Sequence, residues 1–157
     1  INPTNPKPAL YPVFSRFFKE SSTKLKVAFW KSFKILLYSS LAIFVIVYLF
    51  GEHSILIVFG PKFLPSILPL KILAFSLIFA FPNQLIFTAL ASINRQGISA
   101  FLMGFGVFSL ILFSFLLVPK YDYLGTAYAV LISFFLVFLS GFFLCLNFLN
   151  RIGKEKL

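Results

Sequence analysis

Apolar residues run along this chain without the polar interruptions that a water-facing helix or strand needs. Three stretches, Ile72 to Asn94, Gln96 to Pro119 and Tyr123 to Asn150, carry no formal charge, and a fourth, Ile35 to Gly51, is only slightly shorter. A hydrocarbon core about 30 Å thick takes about 20 apolar residues at about 1.5 Å rise each, so the three longer runs predict membrane-spanning helices. The shorter run reaches the lipid boundary if Lys34 snorkels at one end and the helix extends toward Ser54 at the other. The pattern therefore predicts an all-α, polytopic membrane helix bundle with four full spans: 35–50, 70–92, 98–118 and 125–149. Around them it predicts the end of a preceding helix over 8–18, a basic cytoplasmic linker or interfacial helix over 19–34, a short outer helix over 54–60 and a cytoplasmic tail over 150–157.

Composition changes this picture little: 60% hydrophobic, 20% aromatic and 11% charged lies outside the range of a soluble domain of 157 residues. The chain opens at Ile1 without Met and runs into Asn2-Pro3-Thr4-Asn5-Pro6, as expected of a fragment whose N-terminal part, a missing N-terminal lobe of the same chain, lies elsewhere. No signal peptide is recognisable. The single Cys145 in the last apolar run allows no intrachain disulfide and reads as a small helix hydrophobe.

The formal charge of +10 gains meaning from its placement. Lys7, Arg16, Lys19, Lys24, Lys26, Lys31 and Lys34 precede the first span, Arg95 lies in the turn after the second, and Arg151, Lys154 and Lys156 follow the fourth. Together these are eleven of the fourteen basic residues; Lys62, Lys71 and Lys120 fall in the alternate loops. The positive-inside rule then makes the first segment, the Arg95 turn and the C-terminus cytoplasmic, which requires an even number of spans. Leu25, Phe29 and Phe33 share one helical face, with Lys24, Lys31 and Lys34 mostly opposite. Such a helix is expected to lie in the inner headgroup layer, anchored by Trp30 and bound to anionic lipids through Lys24, Lys26, Lys31 and Lys34. Membrane electrostatics accounts for the charge, and no nucleic-acid partner is expected.

The spans also carry punctuation. Gly60-Pro61 ends the outer stretch, with Gly60 in a conformation other residues resist, and Pro65 and Pro69 are expected to keep the following loop irregular. Pro82-Asn83-Gln84 sits near the middle of the second span, where two amides beside a proline either hydrogen-bond between helices or form the wall of a polar path. Ala100 and Gly104 in the third span, and Gly125, Ala129 and Ser133 in the fourth, form small-residue stripes that allow close helix packing.

Chemistry is sparse. The four acids, Glu20, Glu52, Asp122 and Glu155, all lie outside the spans, so no proton relay is built from them within the membrane. No nucleotide-binding loop, nucleophile elbow or metal-ligand spacing is present, and His53 is alone at a span edge. No enzyme activity, metal or cofactor is expected.

Four motifs in order resemble the polysaccharide exporters of the multidrug/oligosaccharidyl-lipid/polysaccharide superfamily, the group of the Wzx-type flippases. They are Pro8-Ala9-Leu10-Tyr11-Pro12-Val13-Phe14-Ser15-Arg16 before a basic linker; Leu56-Ile57-Val58-Phe59-Gly60-Pro61-Lys62-Phe63; Ala89-Leu90-Ala91-Ser92-Ile93-Asn94-Arg95-Gln96; and Pro119-Lys120-Tyr121-Asp122-Tyr123-Leu124-Gly125-Thr126-Ala127. In the last, Asp122 stands where that family usually has Gly, and Thr126 where it has Ala. The resemblance implies the C-terminal part of a transporter that moves a lipid-linked oligosaccharide or polysaccharide precursor across a bacterial-type inner membrane by alternating access. It makes Gly60, Pro61, Phe63, Pro82, Pro119 and Gly125 structural positions. Asn83, Gln84, Asn94 and Arg95 become substrate-path candidates, Arg95 as a cytoplasmic gate or phosphate contact. The alternatives are a cation-coupled drug exporter of the same superfamily and a polytopic membrane glycosyltransferase, polymerase or ligase.

Overall fold

The computed structural model describes the backbone of residues 22–92 and 94–155 and the side chains of 26–92 and 94–148. The motif over Pro8–Arg16, the helix end over 8–18 and the charges of the extreme C-terminal tail lie outside the described side chains. Among the described residues there are four long helices and no strand: α1 (Ser22–Phe59), α2 (Ile67–Ser92), α3 (Gln96–Tyr121) and α4 (Tyr123–Glu155), with a short 3-10 helix, Pro61–Ser66, between α1 and α2. All four are long and apolar enough to cross a membrane, and the protein is an all-α membrane helix bundle.

Each turn has a local cause. Gly60 takes φ 81°, ψ 176°, a region open to glycine, and its N–H closes the end of α1 on the carbonyls of Ile55 and Leu56, both at 3.1 Å. Asn94, at φ 60°, ends α2: its N–H bonds the Ala91 carbonyl at 3.2 Å and the Arg95 N–H bonds Leu90 at 2.9 Å, the paired bonds of a Schellman cap. Asp122 alone joins α3 to α4, at φ 48°, ψ −131°. So tight a reversal brings the start of α4 onto the end of α3, and a Cβ on Gly125 would stand 2.5 Å from the Leu117 carbonyl.

Three expectations differ from the structure. From Ser22 the basic segment, the first span and the outer stretch as far as Phe59 form one uninterrupted helix of 38 residues rather than three elements, because Gly51, Glu52 and His53 all keep helical backbone and no proline precedes the Gly60 turn. The aromatic face of the basic segment is buried in the protein rather than in headgroups: Phe29 is 0% and Phe33 9% exposed. The loop after Gly60 is regular. Pro61 starts the 3-10 helix, and Pro69 falls in the first turn of α2, where a missing N–H removes no hydrogen bond.

α4 is the central helix, packed along both α2 and α3, while α1 packs along α2 and also reaches α4 at Phe33. The buried core gathers at one end of the bundle, from Phe29 and Phe33 of α1, Leu85, Ile86, Ala89 and Leu90 of α2, Leu102 of α3 and Cys145 of α4. A run of ring contacts extends it toward the middle. Phe33 meets Phe142 at 5.6 Å, Phe142 meets Phe138 at 5.5 Å, Phe138 meets Phe79 at 5.8 Å, and Phe75 joins Phe79 at 5.9 Å to Phe44 at 5.5 Å. Side chains facing away from this core are large and apolar, such as Ile57 and Phe115, as a lipid-facing surface requires. Buried hydroxyls return to their own helix: Ser40 donates to the Leu37 carbonyl, Ser76 to Leu73, Ser92 to Ala89 and Ser133 to Ala129.

Two expectations for stability follow from this packing. Asp122→Gly relieves the strained backbone and is expected to stabilise the bundle by about 1 kcal/mol, whereas Gly125→Ala forces α3 and α4 apart and destabilises it by about 2 kcal/mol. Denaturant titration in mixed micelles measures both; equal stability of the three proteins would rule out strain at this turn. Phe138→Ala removes contacts to Phe33, Phe79 and Phe142. In a bilayer the water-transfer component is missing, so the expected loss by the same titration is about 2 kcal/mol, from ring contacts and cavity alone.

Candidate functional site

Proline at position 82 deprives α2 of the N–H that would bond the carbonyl of Ile78, yet the helix continues through it and Pro82 itself is fully buried. The next residue is one-sided. Asn83 is 4% exposed and its Nδ2 donates to the Phe134 carbonyl of α4 at 3.1 Å, while its Oδ1 is buried without a partner. That bond crosses between helices, whereas the hydroxyls of Ser76, Thr88, Ser133 and Ser140 each donate to a carbonyl of their own helix.

Asn83 and Gln84 are among the residues around a half-enclosed cleft of about 400 Å³ between α2 and α3, floored by α4. From α2 the cleft is lined by Ala80, Asn83, Gln84 and Phe87, and its floor is Val130, Ser133 and Val137. The opposite wall is α3, with Leu102, Met103, Gly106 and Leu110. Nearly all of this lining is hydrocarbon. Ser133 is occupied by the Ala129 carbonyl at 2.7 Å, so the two amides are its remaining polar groups.

The four path candidates therefore divide. Asn83 and Gln84 share the cleft, whereas Asn94 and Arg95 lie at the α2–α3 turn and do not line it. Asn94 is the left-handed residue of the cap, and the Arg95 guanidinium lies over the Phe148 ring of α4, 5.1 Å from its centroid. That contact has a topological meaning. It draws the Arg95 turn to the last described side chains of α4, and the core places the start of α1 at the same end, so the predicted basic segments converge in space. On the opposite end Lys71 lies over the Tyr48 ring at 4.7 Å. The sequence offered no sign of the cleft itself, because its lining residues are ordinary lipid-facing types; only the two adjacent amides marked its position.

Comparison with known proteins agrees with a membrane protein. The chain is 29% identical over 93 residues, 59% of its length, to the capsular polysaccharide biosynthesis protein CapF of Staphylococcus aureus, of which the match covers 24%. It is 28% identical over 126 residues, 78% of its length, to the uncharacterized membrane protein MJ1068 of Methanocaldococcus jannaschii, again over 24% of that protein. The chain thus spans about a quarter of the length of the curated relatives it matches. No family model matches it, and no solved structure matches it significantly.

Asn83→Leu is expected to lower stability by about 1 kcal/mol through loss of the bond to Phe134, a small effect because the unpaired Oδ1 is removed with it. Unfolding in mixed micelles measures this. A loss near 4 kcal/mol would show that the second amide position has a strong partner after all.

Proposed function

We propose that the chain forms part of a flippase that moves a lipid-linked oligosaccharide or polysaccharide precursor across the inner membrane by alternating access. The observation that carries this reading is the similarity of a four-span bundle with uncharged span interiors to a capsular polysaccharide biosynthesis protein. The order of motifs at the loops supports it. In this reading the chain acts without enzymatic chemistry, and the bundle supplies scaffold and cavity wall; the cationic groups a pyrophosphate needs lie outside the described spans. Lys24, Lys26, Lys31 and Lys34 hold the basic end against anionic lipid, and the convergence of the basic segments supports that end, with the C-terminus, being cytoplasmic.

A chromosomal deletion in the source cell tests the function. Surface glycan should fall while lipid-linked glycan accumulates on the inner leaflet, and a plasmid copy should reverse both. Unchanged glycan in both pools would overturn the flippase reading. Loss of glycan without accumulation of the lipid-linked form would favour a glycosyltransferase, polymerase or ligase. In that case Asp122→Ala or Glu52→Ala should abolish surface display if either acid is catalytic. Reporter fusions at the Asn94 and Asp122 turns test the orientation: the first is expected inside and the second outside.

A further inference from the structure

The register between helices places two lysines that precede the charge-free run of α1 below the lipid boundary. α2 bears no charge from Lys71 to the Arg95 turn, about 36 Å along its axis, so a core about 30 Å thick fitted between them has its midplane near Asn83. α1 runs back along α2 with Tyr48 at the level of Lys71 and Phe44 at that of Phe75, which puts Phe33 level with Ile86. α4 agrees: Phe33 meets Phe138 and Phe142, and Gly141 between them lies against Ile86. Lys34 then stands about 15 Å from the Arg95 level and about 12 Å inside the boundary, and Lys31 about 7 Å inside it. A lysine stem reaches about 6 Å, so snorkelling does not carry Lys34 out. Sliding the bilayer outward does not help: only about 21 Å of helix axis separates the levels of Lys34 and Lys71, and no placement of the core clears both.

Lys71 has the Tyr48 ring beside it at 4.7 Å, whereas Lys31 and Lys34 are exposed and, among the described residues, make no ion pair, hydrogen bond or ring contact. Glu52 and Asp122, the acids with described side chains, belong to the opposite end of the bundle. Three residues apart, the two ammonium groups share one helical face and repel each other unless an anion lies between them. Tyr38 continues the same stripe one turn deeper, 68% exposed and with no described partner for its hydroxyl. Side chains on a helix lean toward its N-terminus, so that hydroxyl is carried toward Lys34. Unneutralised charge at this depth marks a site that binds something or admits water. Two cations with no acid beside them select an anion over a zwitterion, and the exposed Val27, Ile35 and Leu41 around them suit acyl chains. We infer that Lys31 and Lys34 bind the phosphate of one anionic phospholipid drawn beneath the headgroup layer, with the Tyr38 hydroxyl as a third donor. This rests on the reading above that the lysine-bearing end meets anionic lipid, and it adds a discrete, sunken site with the bilayer thinned at the face of α1.

Trp30 is the single tryptophan of the chain and lies one helical turn from Lys34, so its fluorescence reports on the site. The full chain is placed in phosphatidylcholine nanodiscs in which a minor fraction of the lipid carries dibrominated acyl chains, which quench a neighbouring indole. Brominated phosphatidylglycerol should quench Trp30 as though enriched about tenfold around it, relative to brominated phosphatidylcholine at the same fraction. Lys31→Leu/Lys34→Leu should abolish the enrichment, Lys31→Arg/Lys34→Arg should retain it, and Tyr38→Phe should lower it about twofold. Lys154→Gln/Lys156→Gln, which removes the same charge from a segment expected at the same end, should leave it in place. Equal quenching by the two lipids would overturn the site. So would equal loss in the Lys154→Gln/Lys156→Gln protein, which would return the lysines to a diffuse headgroup attraction. Loss of the preference on adding inorganic phosphate at constant ionic strength would overturn it by assigning the site to soluble phosphate. Should the leucine variant fail to fold, the comparison of the two lipids on the unaltered and the Lys154→Gln/Lys156→Gln proteins decides. Glycan pools play no part in this measurement, so its failure leaves the flippase reading standing.

Discussion

Helices dissolved in hydrocarbon gain nothing by hiding apolar side chains from it, since a lipid tail is as good a neighbour as another leucine. What holds this bundle together must therefore be closeness of approach, which rewards dispersion, and the few hydrogen bonds that leave their own helix. α4 meets that demand along most of its length. Gly125 lets it lie on the backbone of α3, Ala129 and Ser133 are buried next on that face, and a Cβ at Gly141 would already press on Ile86 of α2 at 3.1 Å. Asn83 adds a bond from α2 to the carbonyl of Phe134. The other helices are arranged around the one whose surface permits contact.

The cleft is a by-product of that arrangement. α3 packs mainly on α4, α2 divides its packing between α4 and α1, and α2 and α3 are tied to each other at the capped turn around Asn94. Near that turn they converge, where Ile86 and Leu102 both approach Gly141. Further along, at Ala80 and Leu110, each follows its own line over α4 and the space between them stays open. A gap of this kind in a soluble protein would collapse or fill with water. Within a membrane its natural filling is hydrocarbon.

Much of the fold was legible because the bilayer imposes a simple rule: a charge-free run of sufficient length spans. The helices over 67–92, 96–121 and 123–155 follow it within a few residues. Gly60 was legible as a stop, since its positive φ is open to few other residues. The joining of three expected elements into α1 was not. Glu52, His53 and the lysines read as boundaries, yet polar residues at helix ends outside hydrocarbon interrupt nothing in the backbone. Nor was the burial of Phe29 and Phe33 legible, because a face suited to lipid and a face suited to other aromatic rings have the same composition. At the site, Asn83 and Gln84 were visible as amides at an unusual depth. That one is tied to α4 and the other faces a cleft depends on rotation about the helix axis relative to partners whose positions no local pattern encodes. Asp122 was legible only as a loop acid; the positive φ it holds, which glycine takes more readily, depends on the tight reversal between α3 and α4.

The unbroken course of α1 has a mechanical consequence. At about 57 Å for its 38 residues it exceeds a hydrocarbon core about 30 Å thick, so it must either tilt or leave part of its length outside the lipid. A rod with no joint cannot absorb a push by bending at one place. It is fastened to α2 at several levels, by Phe44 on Phe75, Tyr48 under Lys71 and Gly51 beside Leu70, so the two helices can shift only together.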